Sequence, residues 1–125
     1  MKNESGRLLE KAAHAIHAAE VLLSAEEPDS AAGRAYYACF YVAKALLADR
    51  GLHSHKHSGV HALFGEHLAK PGIVDPRFHR ILLDTFESRL QADYEVDLPV
   101  PAEQAAIFIE YAREFLLEAN KFFGS

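Results

Sequence analysis

The chain has 125 residues, 50% of them hydrophobic and 25% charged, with a formal net charge of −5. That composition fits one globular domain spanning residues 1–125, large enough to bury a continuous core without staples, and excludes a disordered chain. The negative balance argues against a general nucleic-acid coat protein: any contact with a polyanion needs a local concentration of Arg, Lys and His.

The periodicity is helical almost throughout. Leu8, Leu9, Ala12, Ile16, Ala19 and Leu23 mark one face of a first helix, roughly residues 4 to 25. Glu26-Glu27-Pro28-Asp29 interrupts it, and Asp29 or Ser30 is expected to cap a second helix running to about Arg50, with Gly51 as its stop. This second helix is apolar nearly all round and should be the most buried element. A His-rich loop leads to a third helix, roughly His57 to Ala69, with Val60, Leu63, Phe64 and Leu68 on one face and Lys70-Pro71-Gly72 ending it. Asp75-Pro76 supplies a cap and a first-turn proline for a fourth helix that buries Phe78, Ile81, Leu82, Thr85 and Phe86. After Asp97-Leu98-Pro99-Val100-Pro101 a fifth helix runs from about Pro101 to Phe122, striped by Ala105, Phe108, Ile109, Ala112, Phe115, Leu116 and Ala119. Five helices joined by short turns predict an all-α bundle with antiparallel neighbours.

Cys39 is the one cysteine and lies in an apolar run, so no intrachain disulfide can form. A reducing, cytoplasmic home is expected. The N-terminus lacks a secretory leader's apolar stretch, and no segment reaches the roughly 18 to 20 apolar residues of a membrane span.

Two arginines stand out. Arg34 opens Arg34-Ala35-Tyr36-Tyr37-Ala38-Cys39-Phe40-Tyr41, a run whose only other charge up to Leu47 is Lys44. Arg89 opens Arg89-Leu90-Gln91-Ala92-Asp93-Tyr94 at the end of the fourth helix pattern. Both are expected in or beside a core, where an unpaired cation costs several kcal/mol and needs a carboxylate, phosphate or hydroxyl. A structural role is open to each. Arg89 and Asp93 could pair at i,i+4 under Tyr94, though an exposed pair of this kind contributes only about 0.3 to 0.5 kcal/mol. Arg34 could brace neighbouring helices, and Tyr36 and Tyr37 could be core aromatics with locally satisfied hydroxyls.

Arg34-Ala-Tyr-Tyr-Ala-Cys-Phe on helix two, Gly51 followed by His57-Ser58-Gly59-Val60 entering helix three, and Arg89-Leu-Gln-Ala-Asp-Tyr closing helix four together resemble the HEPN family. The resemblance covers roughly residues 5 to 122 and is strongest to the small stand-alone prokaryotic HEPN proteins often encoded beside a minimal nucleotidyltransferase. It implies an up-and-down helical bundle, commonly a homodimer, with a nucleotide- or RNA-related role, often within a toxin–antitoxin pair. It also implies a nucleotide- or RNA-binding set of Arg34, Tyr37, His57, Arg89, Asp93 and Tyr94, with Arg89 and Tyr94 as the candidate catalytic pair.

Many HEPN toxins are metal-independent ribonucleases that use an arginine followed after four to six residues by a histidine. A base takes the 2′-hydroxyl proton while a fixed cation holds the phosphorane's charge. Arg89 matches the arginine, but Tyr94, Glu95 and Val96 occupy the histidine positions. With an ordinary pKa of about 10, a tyrosine is a poor base near neutral pH. Nuclease activity is therefore expected to be weak or absent, and a non-catalytic protein–protein interaction module is the alternative.

His53, His55, His57 and His61 crowd together, and His57 with His61 share a helix face at i,i+4, a spacing known from zinc sites. No cysteine or second ligand set joins them, so no metal and no cofactor is assigned, and His57 could equally cap or pack at the start of helix three. His14, His17, His67 and His79 read as surface or boundary residues. The fifth helix carries Phe108, Ile109, Tyr111, Phe115, Leu116, Phe122 and Phe123, more than one inward stripe hides, so self-association through helix four or five is expected.

Overall fold

The computed structural model describes the backbone of residues 3–94 and 99–124, and the side chains of all of these except 91–94. Among the described residues five α-helices follow one another: α1 Glu4–Ser24, α2 Pro28–Ala48, α3 His57–Phe64, α4 Arg77–Tyr94 and α5 Ala102–Gly124.

Local chemistry accounts for most of the boundaries. Asn3 opens α1 by accepting the Gly6 N–H on its side chain at 2.8 Å. The helix closes with Glu26 in the left-handed region at φ 62°, while the Glu27 N–H reaches back to the Leu22 carbonyl at 2.9 Å. Neither Asp29 nor Ser30 caps α2. Pro28, whose fixed φ suits a first turn, starts the helix earlier, leaving Asp29 inside that turn with its carboxylate accepting the Val100 N–H at 2.6 Å. Gly51, at φ 74°, ends the helix as expected, and the Leu52 N–H bonds the Leu47 carbonyl at 3.0 Å.

The third helix departs from a single α-helix. After Phe64 the backbone widens into a π-helical turn, Gly65–Ala69, that buries both Leu68 and Ala69. A Cβ at Gly65 would lie 2.7 Å from His79 Nε2, so any larger residue there needs the His79 ring to shift. Helix α4 starts as its sequence suggests, with the Asp75 carboxylate accepting the Arg77 N–H at 3.0 Å.

Helix α2 forms the centre, packed by α1, α4, α5 and α3. The Ser5 hydroxyl donates to the Ala45 carbonyl at 2.8 Å, tying the start of α1 to the end of α2 and fixing that pair antiparallel. Asp84, Glu87 and Ser88 late in α4 share a concavity with Gln104 and Phe108 early in α5, so this pair is antiparallel too. Tyr36, Leu46, Phe64, Leu82 and Phe115 are fully buried. The core is alanine-rich along α2, which lets its neighbours approach closely.

The excess of bulky residues on α5 is mostly used inside the chain. Phe108, Ile109 and Phe115 are buried, and Tyr111, Leu116 and Phe123 pack against the core. Ile107, Leu117 and Phe122 are the large apolar side chains of α5 left exposed.

Candidate functional site

Arg34 and Tyr37 are three residues apart on α2 and so share a face. Helix α4 runs past that face in the opposite sense and delivers Arg89 from its last turns. The Arg34 guanidinium carbon lies 4.6 Å from the Tyr37 ring centroid, and that of Arg89 lies 5.1 Å from the same centroid. With Asp29 and Ser30 these residues line an open concavity of about 540 Å³. Both arginines are half-buried at its rim, not enclosed in the core. The Asp29 carboxylate, which contributes negative charge to this cleft, is drawn to the Val100 N–H. Two planar guanidinium groups fixed over an aromatic face are suited to gripping a carboxylate or phosphate bidentately, with the ring offering a flat apolar surface beside it.

His57 lies behind Tyr37, with ring centroids 5.8 Å apart. Its ring stacks on Phe40 at 4.2 Å and 17°, and Nδ1 is 2.6 Å from the Tyr36 hydroxyl. His61 Nε2 reaches the same hydroxyl at 2.9 Å. The i,i+4 histidines do share a face, but they converge on a tyrosine oxygen. Since that hydroxyl has one hydrogen, one imidazole accepts from it and the other donates to it. Burial holds His61 down at about 4, assisted by the nearby His57 and His79. Burial also lowers His57, with the Arg89 and Lys44 charges acting in the same direction. Both rings are therefore neutral near pH 7, and desolvation pushes the Tyr36 hydroxyl well above the usual phenol range.

Of the residues singled out in the sequence, Arg34, Tyr37 and Arg89 are brought together. His57 stands one layer behind them and does not line the cleft. The side chains of Asp93 and Tyr94 lie outside the described residues, as do Glu95 and Val96, so the i,i+4 pairing with Arg89 and the tyrosine role fall outside them too. His53 is exposed and bonds Glu4 at 3.0 Å, and among the described residues no group of His, Cys, Asp and Glu is arranged to hold a metal ion. Cys39 is fully buried, and burial pushes its thiol up to about 12. Tyr36 as a hub was missed; an apolar run gives no sign that two histidines from another helix will reach its hydroxyl.

The HEPN domain family model matches residues 5–122. The chain belongs to the HEPN family. A UPF0332 protein of Gloeobacter violaceus is 36% identical over 94% of this chain and the whole of the relative. Two proteins of Methanocaldococcus jannaschii, each carrying the name "Putative toxin", are 31% and 34% identical over 97% and 88% of this chain, and 82% of each relative is covered. Among the described residues no helix of this HEPN protein is long and apolar enough to cross a membrane.

Proposed function

We propose that this HEPN protein is a toxin-like cytoplasmic protein whose Arg34–Tyr37–Arg89 cleft binds the phosphate of a nucleotide or RNA, under the control of a minimal nucleotidyltransferase partner. The observation that carries the reading is the convergence of two guanidinium groups on one tyrosine ring at an open concavity. In a chain of net charge −5, that concentration of cations is what attraction of a phosphate requires. The toxin names of two relatives support the same direction.

Ribonuclease activity is weak or absent in this reading. Arg89 can stabilise charge, but Tyr94, Glu95 and Val96 stand where a histidine would supply the base. General-base assistance is worth about 10²- to 10⁴-fold. The protein further self-associates as a homodimer through the outer faces of α4 or α5, where Leu83, Ile107, Leu117 and Phe122 are exposed. Sedimentation velocity showing only monomer at micromolar concentration would remove that part.

The test is co-purification of the untagged chain from its own cytoplasm, with mass spectrometry for partner and bound nucleotide. A nucleotidyltransferase or a nucleotide in the complex is expected. Recovery of the chain with neither, across preparations that preserve complexes, would count against the reading.

A further inference from the structure

The two ring nitrogens of His57 have different surroundings. Nδ1 points inward, 2.6 Å from the Tyr36 hydroxyl. Nε2 makes no hydrogen bond among the described residues, where no buried polar side-chain atom lacks a partner, so Nε2 is open to solvent. Phe40, at 4.2 Å and 17°, and Phe86, at 5.7 Å and 22°, stack on the ring and hold it in that orientation. The imidazole thus exchanges protons with solvent at one nitrogen and is anchored to the core by the other. The charges acting on it come from two helices: Arg89 of α4 and Lys44 of α2 both oppose an imidazolium there. Tyr36 and Tyr37 of α2 and His61 of α3 are the other titratable side chains against it. Among the described residues no carboxylate pairs with it. An anion in the arginine cleft changes that balance. Arg89 and His57 flank one ring, at 5.1 Å and 5.8 Å from the Tyr37 centroid, so a phosphate gripped by Arg89 offsets the charge that keeps His57 neutral.

We propose that His57 is a proton-linked control of the arginine cleft: an anion bound there draws a proton onto Nε2, and the anion's affinity rises as pH falls. The proposal rests on the phosphate-cleft reading and adds the regulation of that site. The Tyr36 hub accommodates both protonation states. With His57 protonated, Nδ1–H donates to the Tyr36 oxygen, and the hydroxyl hydrogen turns to Nε2 of a neutral His61, 2.9 Å away. Proton uptake therefore costs no hydrogen bond. Linkage then works in both directions: the factor by which the anion raises proton affinity is the factor by which the proton raises anion affinity.

A phosphate monoester itself loses charge near about pH 6, so the test pairs AMP with adenosine 5′-sulfate, whose charge is constant over the range used. Calorimetric titrations of the sulfate from about pH 8 down to about pH 5 should show wild-type affinity rising about three- to tenfold. In His57→Gln, whose amide keeps a bond to Tyr36 but does not titrate, affinity should stay constant. NMR titration of the wild-type imidazoles reads the same linkage without a variant. The His57 signal should titrate about 0.5–1 pH unit higher with either ligand bound than without. Binding that is indifferent to pH with an unmoved His57 titration, or a pH dependence that persists in His57→Gln, would overturn the control and leave the cleft standing. Failure of both ligands to bind at any pH would remove the cleft, and the control with it.

Discussion

The buried Tyr36 hydroxyl lies 2.6 Å from His57 Nδ1, and this contact ties the central helix to the start of α3 directly behind the arginine cleft. The same oxygen holds His61, so a single atom fixes two rings. Replacing Tyr36 with Phe removes it and leaves two imidazole nitrogens without their partner in a desolvated site. Chemical unfolding should show a loss of about 1–3 kcal/mol, the cost of an unsatisfied buried polar group. An unchanged midpoint would mean that water or a shifted ring replaces the bond.

The histidine shifts make stability depend on pH in a definite direction. His61 titrates near 4 in the folded chain and at about 6.5 when unfolded, so the unfolded state binds more protons between those values. Its stabilising contribution is complete above about pH 6.5 and is lost as pH falls towards 4. His57, also lowered, adds to the same trend. The loss attributable to His61 should reach about 2–3 kcal/mol. Urea melts from pH 4 to 7.5 check this: His61→Gln, although destabilised overall, should show a flatter profile than the wild type.

Glu26 offers a gain. It closes α1 in the left-handed region at φ 62°, is exposed and lies in the turn before α2. Glycine adopts that conformation without the Cβ penalty, so Glu26→Gly should stabilise the chain by about 0.5–1 kcal/mol despite the added freedom of its unfolded state. A lower melting temperature would show that the Glu26 side chain contributes more than its backbone strain costs.

Helical periodicity made the architecture legible because each amphipathic stripe is written locally: Phe78, Ile81, Leu82 and Thr85 on α4 are buried as their spacing requires. Turn chemistry was legible at Gly51 and Asp75 and misleading at Asp29, since nothing local announces that a carboxylate will be claimed by the backbone of Val100, 71 residues away. The π-helical turn was invisible for a similar reason: its geometry accompanies the close approach of His79 to Gly65, a tertiary contact. At the site, Arg34 and Arg89 were recognisable as charges in apolar runs, whereas their meeting over Tyr37 depends on the antiparallel passage of α4 along α2. The Tyr36–His57–His61 hub belongs wholly to that tertiary level.

The most direct measurement is a calorimetric titration of AMP, ATP and short RNA into the wild type and Arg89→Lys, paired with thermal melts of both. Lysine keeps the charge but not the planar fork that holds a phosphate. A nucleotide-phosphate cleft predicts saturable wild-type binding that weakens with salt, about tenfold or more weaker binding in Arg89→Lys, and nearly equal melting temperatures. No wild-type binding to any of these ligands, together with a large fall in the melting temperature of Arg89→Lys, would contradict it and leave Arg89 as a brace within a protein-interaction module.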